Sequence, residues 1–129
     1  MKILIADDEK EAVLLLKKYI ERKNHDADVA YDGARALELI KENKYDIVFL
    51  DHNMPEITGL ELIEYIKKNI PETKAVMITG YQQMADFAAK DLGADEYLTK
   101  PIEFKDIEKI LDKYKNGDRD NGEEKNISS

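Results

Sequence analysis

Short apolar runs alternate along this chain with stretches whose apolar residues recur at helical spacing, and this alternation restricts the possible folds most. The apolar runs lie at 3–6, 29–31, 47–50, 75–79 and 97–98. The helical patterns lie at 9–23, 34–43, 59–69, 83–92 and 104–115. The third run, Ile47-Val48-Phe49-Leu50, is apolar at every position, which is typical of a strand buried on both faces of a parallel sheet.

The repeated order of strand and helix predicts an α/β fold, a doubly wound (βα)5 domain with a five-stranded parallel sheet and helices on both faces. Right-handed crossovers restrict the topology to a Rossmann-like or a flavodoxin-like order. The second strand is polar at 25–28, so we expect it at a sheet edge. Asp8 precedes the first helical pattern and is predicted to cap that helix.

The domain is predicted to span residues 1–115 of the 129 in the chain. Residues 116–129 carry almost no apolar side chains. Such a segment cannot bury enough apolar surface to offset the cost of ordering it. We therefore expect 116–129 to be a disordered polar tail or a linker.

Charge and composition exclude several function classes. The formal charge is −8, which repels phosphate backbones and predicts no direct binding of nucleic acid. The chain has no Cys and two His, which excludes a thiolate site and disfavours a His-rich zinc site. Its apolar runs are too short to insert in a membrane, and no signal peptide is recognisable. These features predict a cytoplasmic protein.

Polar side chains follow four of the five predicted strands. Asp7 and Asp8 follow the first strand, Asp51 the third, Thr79 the fourth and Lys100 the fifth. Ligands of open α/β sheets bind at the carboxyl ends of the strands. Clustered carboxylates require a cation or raised pKa values, and oxygen ligands suit Mg²⁺, with Mn²⁺ as the alternative.

Asp51 is the candidate nucleophile of this group, since a carboxylate beside Mg²⁺ can form an aspartyl-phosphate. Lys100 would neutralise charge and Thr79 would donate a hydrogen bond to a phosphoryl oxygen. Each residue also has an ordinary explanation. Asp7 and Asp8 could cap a helix, Lys100 could be a surface lysine, and Thr79 could be a strand residue. Their joint position at strand ends favours the chemical role.

Four motifs at matching separations resemble the receiver domain of response regulators, of the CheY type. They are Ile-Leu-Ile-Ala-Asp-Asp-Glu at 3–9, Asp51-His52-Asn53-Met54-Pro55 followed by Gly59, Ile78-Thr79-Gly80, and GADEYLTKP from Gly93 to Pro101. The resemblance covers residues 1 to about 115 and extends to stand-alone chemotaxis and sporulation phosphorelay regulators. It implies the flavodoxin-like strand order 2-1-3-4-5 and a cis bond before Pro101.

The resemblance also implies a role for each site residue. Asp51 would be the phosphoacceptor, and Lys100 would pair with it or with its phosphoryl group. Asp8 would bind Mg²⁺ directly and Asp7 mainly through water. Asp51 and the backbone carbonyl of Asn53 would complete the metal ligands.

The same resemblance implies a switch. Thr79 would shift toward the phosphoryl group and Tyr97 would rotate into the space that it leaves. This movement would relay the change to the face formed by the helix at 83–92, the fifth strand and the helix at 104–115.

Asn53 and Tyr81 are predicted to modulate the site, and His52 is a third candidate. Asn53 and Tyr81 stand where family members control water access to the phosphoryl group. His52 is favoured as a solvent-facing or packing histidine. Its alternative role is to modulate the site by titrating near neutral pH.

The docking residues are predicted from one irregularity in the first helical pattern. Leu14 is a large apolar residue on its polar face, although isolated exposed leucines are common. The resemblance implies that a histidine kinase or phosphotransfer protein docks there, with Leu14 as the first candidate contact and Val13 as the second. Phe87 is a weaker candidate on the output face.

The predicted function is a phosphoacceptor switch of a two-component or phosphorelay system. It would catalyse only its own phosphorylation and dephosphorylation, and it would act on a downstream protein as a monomer or a phosphorylation-dependent dimer. The alternatives are a receiver-fold interaction module that is not regulated by phosphorylation, and a receiver cut from a longer regulator. An aspartyl-phosphate phosphatase is disfavoured because Asn53 occupies the position of its second acid. A flavodoxin is disfavoured because no phosphate-binding loop follows the first strand.

Overall fold

A computed structural model of the chain describes residues 1–52, 54–80 and 93–120, with side chains as far as residue 115. Within these residues the elements are, in order, β1 (Lys2–Ala6), α1 (Lys10–Arg22), β2 (Asp26–Ala30), α2 (Gly33–Glu42), β3 (Ile47–Asp51), α3 (Gly59–Asn69), β4 (Lys74–Thr79), β5 (Glu96–Thr99) and α4 (Phe104–Asp120). The helix predicted at 83–92, which includes Phe87, lies outside the described residues.

The five strands form one parallel sheet in the order β2-β1-β3-β4-β5. This order confirms the doubly wound, flavodoxin-like prediction. The polar strand β2 lies at an edge, as its sequence predicted, since one side of an edge strand meets water. Strand β3 lies at the centre and all five of its residues are buried.

Two apolar cores flank the sheet because successive side chains of a strand point to opposite faces. Leu4, Leu50 and Met77 face one core, which α2 and α3 cover. Ile5 and Phe49 face the other core, which α1 and α4 cover. With both faces covered, the carboxyl edge of the sheet is left for polar side chains.

The start of α1 differs from the prediction that Asp8 caps this helix. The residue at the cap position is Glu9, and its own side chain makes no capping hydrogen bond. Instead, the backbone N–H of Glu9 donates to Oδ1 of Asp7 at 2.9 Å. The cap prediction for Asp8 is wrong: the helix begins one residue later, and the carboxylate that accepts a backbone bond at this turn belongs to Asp7. Asp8 stays exposed.

Helix α4 continues to Asp120, beyond the predicted boundary at residue 115. Helical hydrogen bonds join backbone groups, so a polar sequence does not by itself end a helix. Residues 121–129 lie outside the described residues. For them the expectation of a disordered tail or linker stays a prediction.

The loop between β3 and α3 packs closely against α2 and β3 at two glycines, Gly33 and Gly59. A Cβ atom on Gly33, at the start of α2, would lie 1.8 Å from the carbonyl oxygen of Ile57. A Cβ atom on Gly59 would lie 2.4 Å from the carbonyl oxygen of Asp51. Neither position has room for a larger residue, so the loop that follows Asp51 is held against α2 and β3.

Candidate functional site

The predicted site residues come together at the carboxyl edge of the sheet. Asp51 is the last residue of β3 and Thr79 the last residue of β4, and both are almost completely buried. Lys100 follows β5, and its backbone N–H donates to the carbonyl oxygen of Thr79 at 2.8 Å. The bond between Lys100 and Pro101 is cis, as the resemblance implied.

Three carboxylates of this edge form a cluster that fits a divalent cation. Oxygen atoms of Asp7, Asp8 and Asp51 all lie within 4.8 Å of one another. Asp7 and Asp51 are buried, whereas Asp8 is exposed. A set of oxygen ligands with one open side suits Mg²⁺, which binds few protein ligands and keeps several waters. The donor set therefore fits the ion that the sequence predicted.

Burial raises the pKa of the Asp7 carboxyl above its ordinary value. The hydrogen bond from the backbone of Glu9 and the charge of Lys100 act in the opposite direction. The charges of Glu9 and Asp8 add to the increase. The cluster thus concentrates negative charge in a place that favours a bound cation.

Lys100 is shared among three acids at the edge of the site. Its Nζ lies 3.5 Å from Oδ1 of Asp51, 3.6 Å from Oδ2 of Asp7 and 3.2 Å from Oε1 of Glu9. Partial burial lowers the pKa of the ammonium, but attraction to Asp7 and Asp51, together with the bond to Glu9, raises it overall. Lys100 therefore keeps its positive charge, which lies beside Asp51, the candidate phosphoacceptor.

Glu9 is the site residue that sequence reasoning missed. Its side chain is exposed, yet it makes the shortest of the three contacts to Lys100. The available signal was the unbroken acidic run Asp7-Asp8-Glu9. Only the first two acids of that run were taken to face the site.

His52 lies inside the protein and is not solvent-facing. It is 9 % exposed, and its backbone N–H donates to the carbonyl oxygen of Ile78 at 2.8 Å. Its ring atom Nδ1 lies 3.5 Å from the hydroxyl oxygen of Thr79. The expectation of a packing histidine therefore describes its position correctly. The side chain that it contacts is that of Thr79, a predicted switch residue.

The remaining predicted site residues separate into two groups. Tyr97 lies on β5 with 36 % of its surface exposed, which is an outward position. Asn53, Tyr81 and Phe87 lie outside the described residues, so their expected roles stay predictions.

Helix α1 presents apolar side chains to solvent beside the site. Leu14 is 43 % exposed, in agreement with its predicted position. Val13 is completely buried, so its prediction as a docking contact is wrong. It packs in the core with Leu16 and Ile20, because it belongs to the apolar stripe of the helix. Leu15, which helical spacing had assigned to that stripe, is 58 % exposed.

An apolar groove runs from the site between α1 and the segment that joins β5 to α4. Its volume is about 500 Å³. Leu15, Pro101 and Phe104 line it, and Lys100 and Glu9 stand at its end. The exposed ring of Phe104 stacks on Tyr19 of α1, with centroids 4.6 Å apart. The groove joins an apolar surface directly to the charged site.

Comparison with known families gives a match to "Response regulator receiver domain" over residues 3–112. The chain belongs to this family. The match covers all five strands except the first residue of β1, Lys2, and it includes the whole charged edge. It confirms the identification that the four sequence motifs supported.

Similar curated proteins are bacterial regulators. The response regulator ArlR of Staphylococcus saprophyticus is 39% identical over 111 residues, which are 85% of this chain and 49% of that protein. The alkaline phosphatase synthesis transcriptional regulatory protein PhoP of Bacillus subtilis is 33% identical over 107 residues, 82% of this chain and 45% of that protein. This chain spans about half the length of the curated relatives it matches.

Two solved structures share the fold over nearly their full length. A CheY-like receiver from Methanospirillum hungatei has a TM-score of 0.84 at 28% identity, covering 92% of this chain and 97% of that one. The response regulator TrrA from Thermotoga maritima, solved in complex with Mg²⁺ and beryllofluoride, has a TM-score of 0.79 at 32% identity, covering 88% and 97%.

Among the described residues, no helix is both long enough and apolar enough to cross a bilayer.

Proposed function

We propose that this chain is a phosphoacceptor switch of a two-component system or phosphorelay. The observation that carries the proposal is the position of Asp51. It is a buried carboxylate at the end of the central strand, grouped with Asp7 and Asp8 and 3.5 Å from the ammonium of Lys100. A nucleophile, a cation site and a fixed positive charge are the parts that phosphoryl transfer needs.

The proposed reaction moves one phosphoryl group from a phosphohistidine to Asp51. A carboxylate oxygen of Asp51 attacks phosphorus, the P–N bond breaks with its electron pair on the imidazole, and a P–O bond forms. Mg²⁺ held by Asp8 and Asp51, with Asp7 through water and Asn53 through its backbone carbonyl, would offset the charge that develops on the phosphoryl oxygens. Lys100 supports the same oxygens from the side of β5.

The switch would begin at Thr79, whose hydroxyl donates to a phosphoryl oxygen. Thr79 pairs with Thr99 of β5, two residues beyond Tyr97. The outward position of Tyr97 supports a role as the residue that turns inward when Thr79 moves. The proposed output surface therefore includes β5 and α4, where a downstream protein or a second copy would bind.

The phosphodonor protein would dock along α1 and the adjoining apolar groove. Leu14 and Leu15 are exposed on that helix, and Phe104 is exposed on the opposite wall. A histidine kinase or phosphotransfer protein that covers this groove would bring its phosphohistidine to the end where Lys100 lies. The contact would also exclude water from the transfer.

Phosphorylation by a small donor tests the proposal without a partner protein. We expect the chain to become phosphorylated by phosphoramidate with Mg²⁺ but not with an excess of chelator. Hydroxylamine should then remove the group, because it cleaves acyl phosphates and leaves phosphoserine and phosphothreonine intact. Labelling that ignores Mg²⁺ or resists hydroxylamine would contradict the proposal.

A second possibility is that the chain is the receiver portion of a longer regulator. The observation in its favour is that the chain spans about half of its curated relatives. The phosphoacceptor chemistry would be the same, but the output would pass to an attached domain. An interaction module that ignores phosphorylation is the remaining alternative, and the labelling experiment separates it from both.

A further inference from the structure

His52 occupies a position between the phosphoacceptor and the proposed switch residue. It follows Asp51 directly in the chain, and it bonds to β4 through the backbone at Ile78. Its side chain reaches the next residue of β4, where Nδ1 lies 3.5 Å from Oγ1 of Thr79. Both side chains are buried, so water competes little for this contact.

The chemistry of the two groups makes this contact a competitor of phosphorylation. A neutral imidazole has one nitrogen that donates and one that accepts. When the ring proton is on Nε2, Nδ1 accepts, and the Thr79 hydroxyl is its donor. A hydroxyl has a single proton, so Thr79 cannot donate to Nδ1 and to a phosphoryl oxygen at the same time.

We propose that His52 is a positioning residue that holds the Thr79 hydroxyl in the unphosphorylated state. Breaking this hydrogen bond then adds to the free energy needed to reach the activated state. The inference rests on the proposed function, because it assigns a resting partner to the hydroxyl that the phosphoryl group engages. His52 does not touch the phosphoryl group. It acts through Thr79 alone.

Removing the imidazole should make the activated state easier to reach. Beryllofluoride with Mg²⁺ is the probe, since it mimics a phosphoryl group on a carboxylate. We expect His52→Leu to bind it about two- to fivefold more tightly than the wild-type chain, the range that corresponds to one modest hydrogen bond. Calorimetric titration at saturating Mg²⁺ measures this affinity.

Two control variants separate positioning from packing. His52→Asn keeps a polar atom near the position of Nδ1, so we expect its affinity to return toward the wild-type value. Met54→Leu changes a buried side chain of the same loop with little change in volume, and we expect no shift. Equal gains in all three variants would show that loosening the loop, and not the hydrogen bond, is the cause.

A double-mutant cycle tests the pairing directly. Thr79→Val removes the hydroxyl and keeps the shape of the side chain. In that background His52→Leu should leave the beryllofluoride affinity unchanged. An equal gain with and without the hydroxyl would overturn the proposal, as would a loss of affinity in His52→Leu alone.

Nitrogen NMR of the His52 ring provides a measurement on the wild-type chain that does not depend on how any variant folds. We expect Nδ1 to be unprotonated and hydrogen-bonded at rest, and its resonance to move when beryllofluoride binds. A proton on Nδ1 at rest would overturn the proposal. If the wild-type chain bound no beryllofluoride, the proposed function would fail. Binding with no His52 effect would overturn this inference alone.

Discussion

Asp7 shows how a single residue of this site opposes the stability of the fold. Its side chain is almost completely buried, and burial is the largest cause of its raised pKa. A carboxyl with a raised pKa in the folded state binds its proton more tightly there than in the unfolded chain. Stability is therefore lost as the pH rises above 3.8, the ordinary pKa of an Asp carboxyl, and through the folded-state pKa.

We predict that Asp7→Asn increases the free energy of unfolding at pH 7 by about 0.5–2 kcal/mol. The side-chain amide of asparagine keeps an oxygen that can accept the hydrogen bond from the backbone N–H of Glu9. It carries no charge, so the cost of burying a charge is removed. The gain should shrink toward zero below pH 3.8, where the carboxyl is protonated in both states. Urea unfolding at both pH values, in chelator, measures the difference.

The exposed Asp26 of β2 is the matched control for this prediction. Asp26→Asn should change stability by no more than about 0.5 kcal/mol at either pH. A less stable Asp7→Asn variant at pH 7 would contradict the account, because it would mean that the buried charge is satisfied without a cation.

The candidate site could be predicted from sequence because parallel strands end at one edge. Asp51 and Thr79 follow strongly apolar strands, so their positions depended only on locating those strands. Glu9 and the inward position of His52 could not be predicted this way. They depend on how the loops turn after β1 and β3, and loop geometry is decided by contacts that no short-range pattern records.

Among the elements, the central strands were the easiest to predict and the ends of helices the hardest. Strand β3 is apolar up to its last residue, Asp51, and the polarity of β2 indicated its edge position. The wheel of α1 placed Leu15 on the buried stripe and left Leu14 outside it, whereas both are exposed. The width of a buried stripe depends on how the helix packs on the sheet, and apolar spacing alone does not define it.

The close approach of α2 to the loop after β3 leads to a stability prediction. Gly33→Ala would put a Cβ atom 1.8 Å from a backbone oxygen, which requires the backbone itself to move. We predict a loss of at least about 2–3 kcal/mol of unfolding free energy. Gly80→Ala is the matched control, since its Cβ would meet no atom of the described residues within 4 Å. A loss as large at Gly80 would contradict this explanation.

The exposed face of α1 leads to a prediction about partner docking. Leu14→Ala should slow phosphoryl transfer from a phosphohistidine protein by at least about fivefold, because it removes apolar contact area from the interface. Phosphorylation by phosphoramidate should keep its rate, since the small donor does not use that surface. Arg22→Ala, exposed at the far end of α1, should affect neither rate. Equal slowing with both donors would exclude Leu14 from docking.

For the whole molecule, the sheet joins a buried charged site to the proposed output surface. Two apolar cores pack on the two faces of the sheet, and β4 pairs with β3 on one side and with β5 on the other. Under the proposed switch, a change at the end of β3 or β4 would reach β5 through this pairing. Most of the net charge of −8 is spread over exposed positions. Four of the acids, Asp7, Asp8, Glu9 and Asp51, are concentrated with Lys100 at one edge, and phosphorylation would change the charge balance there.

The role of Asp51 as the phosphoacceptor is decided by the intact mass of the chain after incubation with phosphoramidate and Mg²⁺. We expect a gain of one phosphoryl group in the wild-type chain and no gain in Asp51→Asn, which keeps the size of the side chain and removes the nucleophilic carboxylate. No gain in the wild-type chain, or an equal gain in Asp51→Asn, would contradict the claim that Asp51 is the phosphoacceptor.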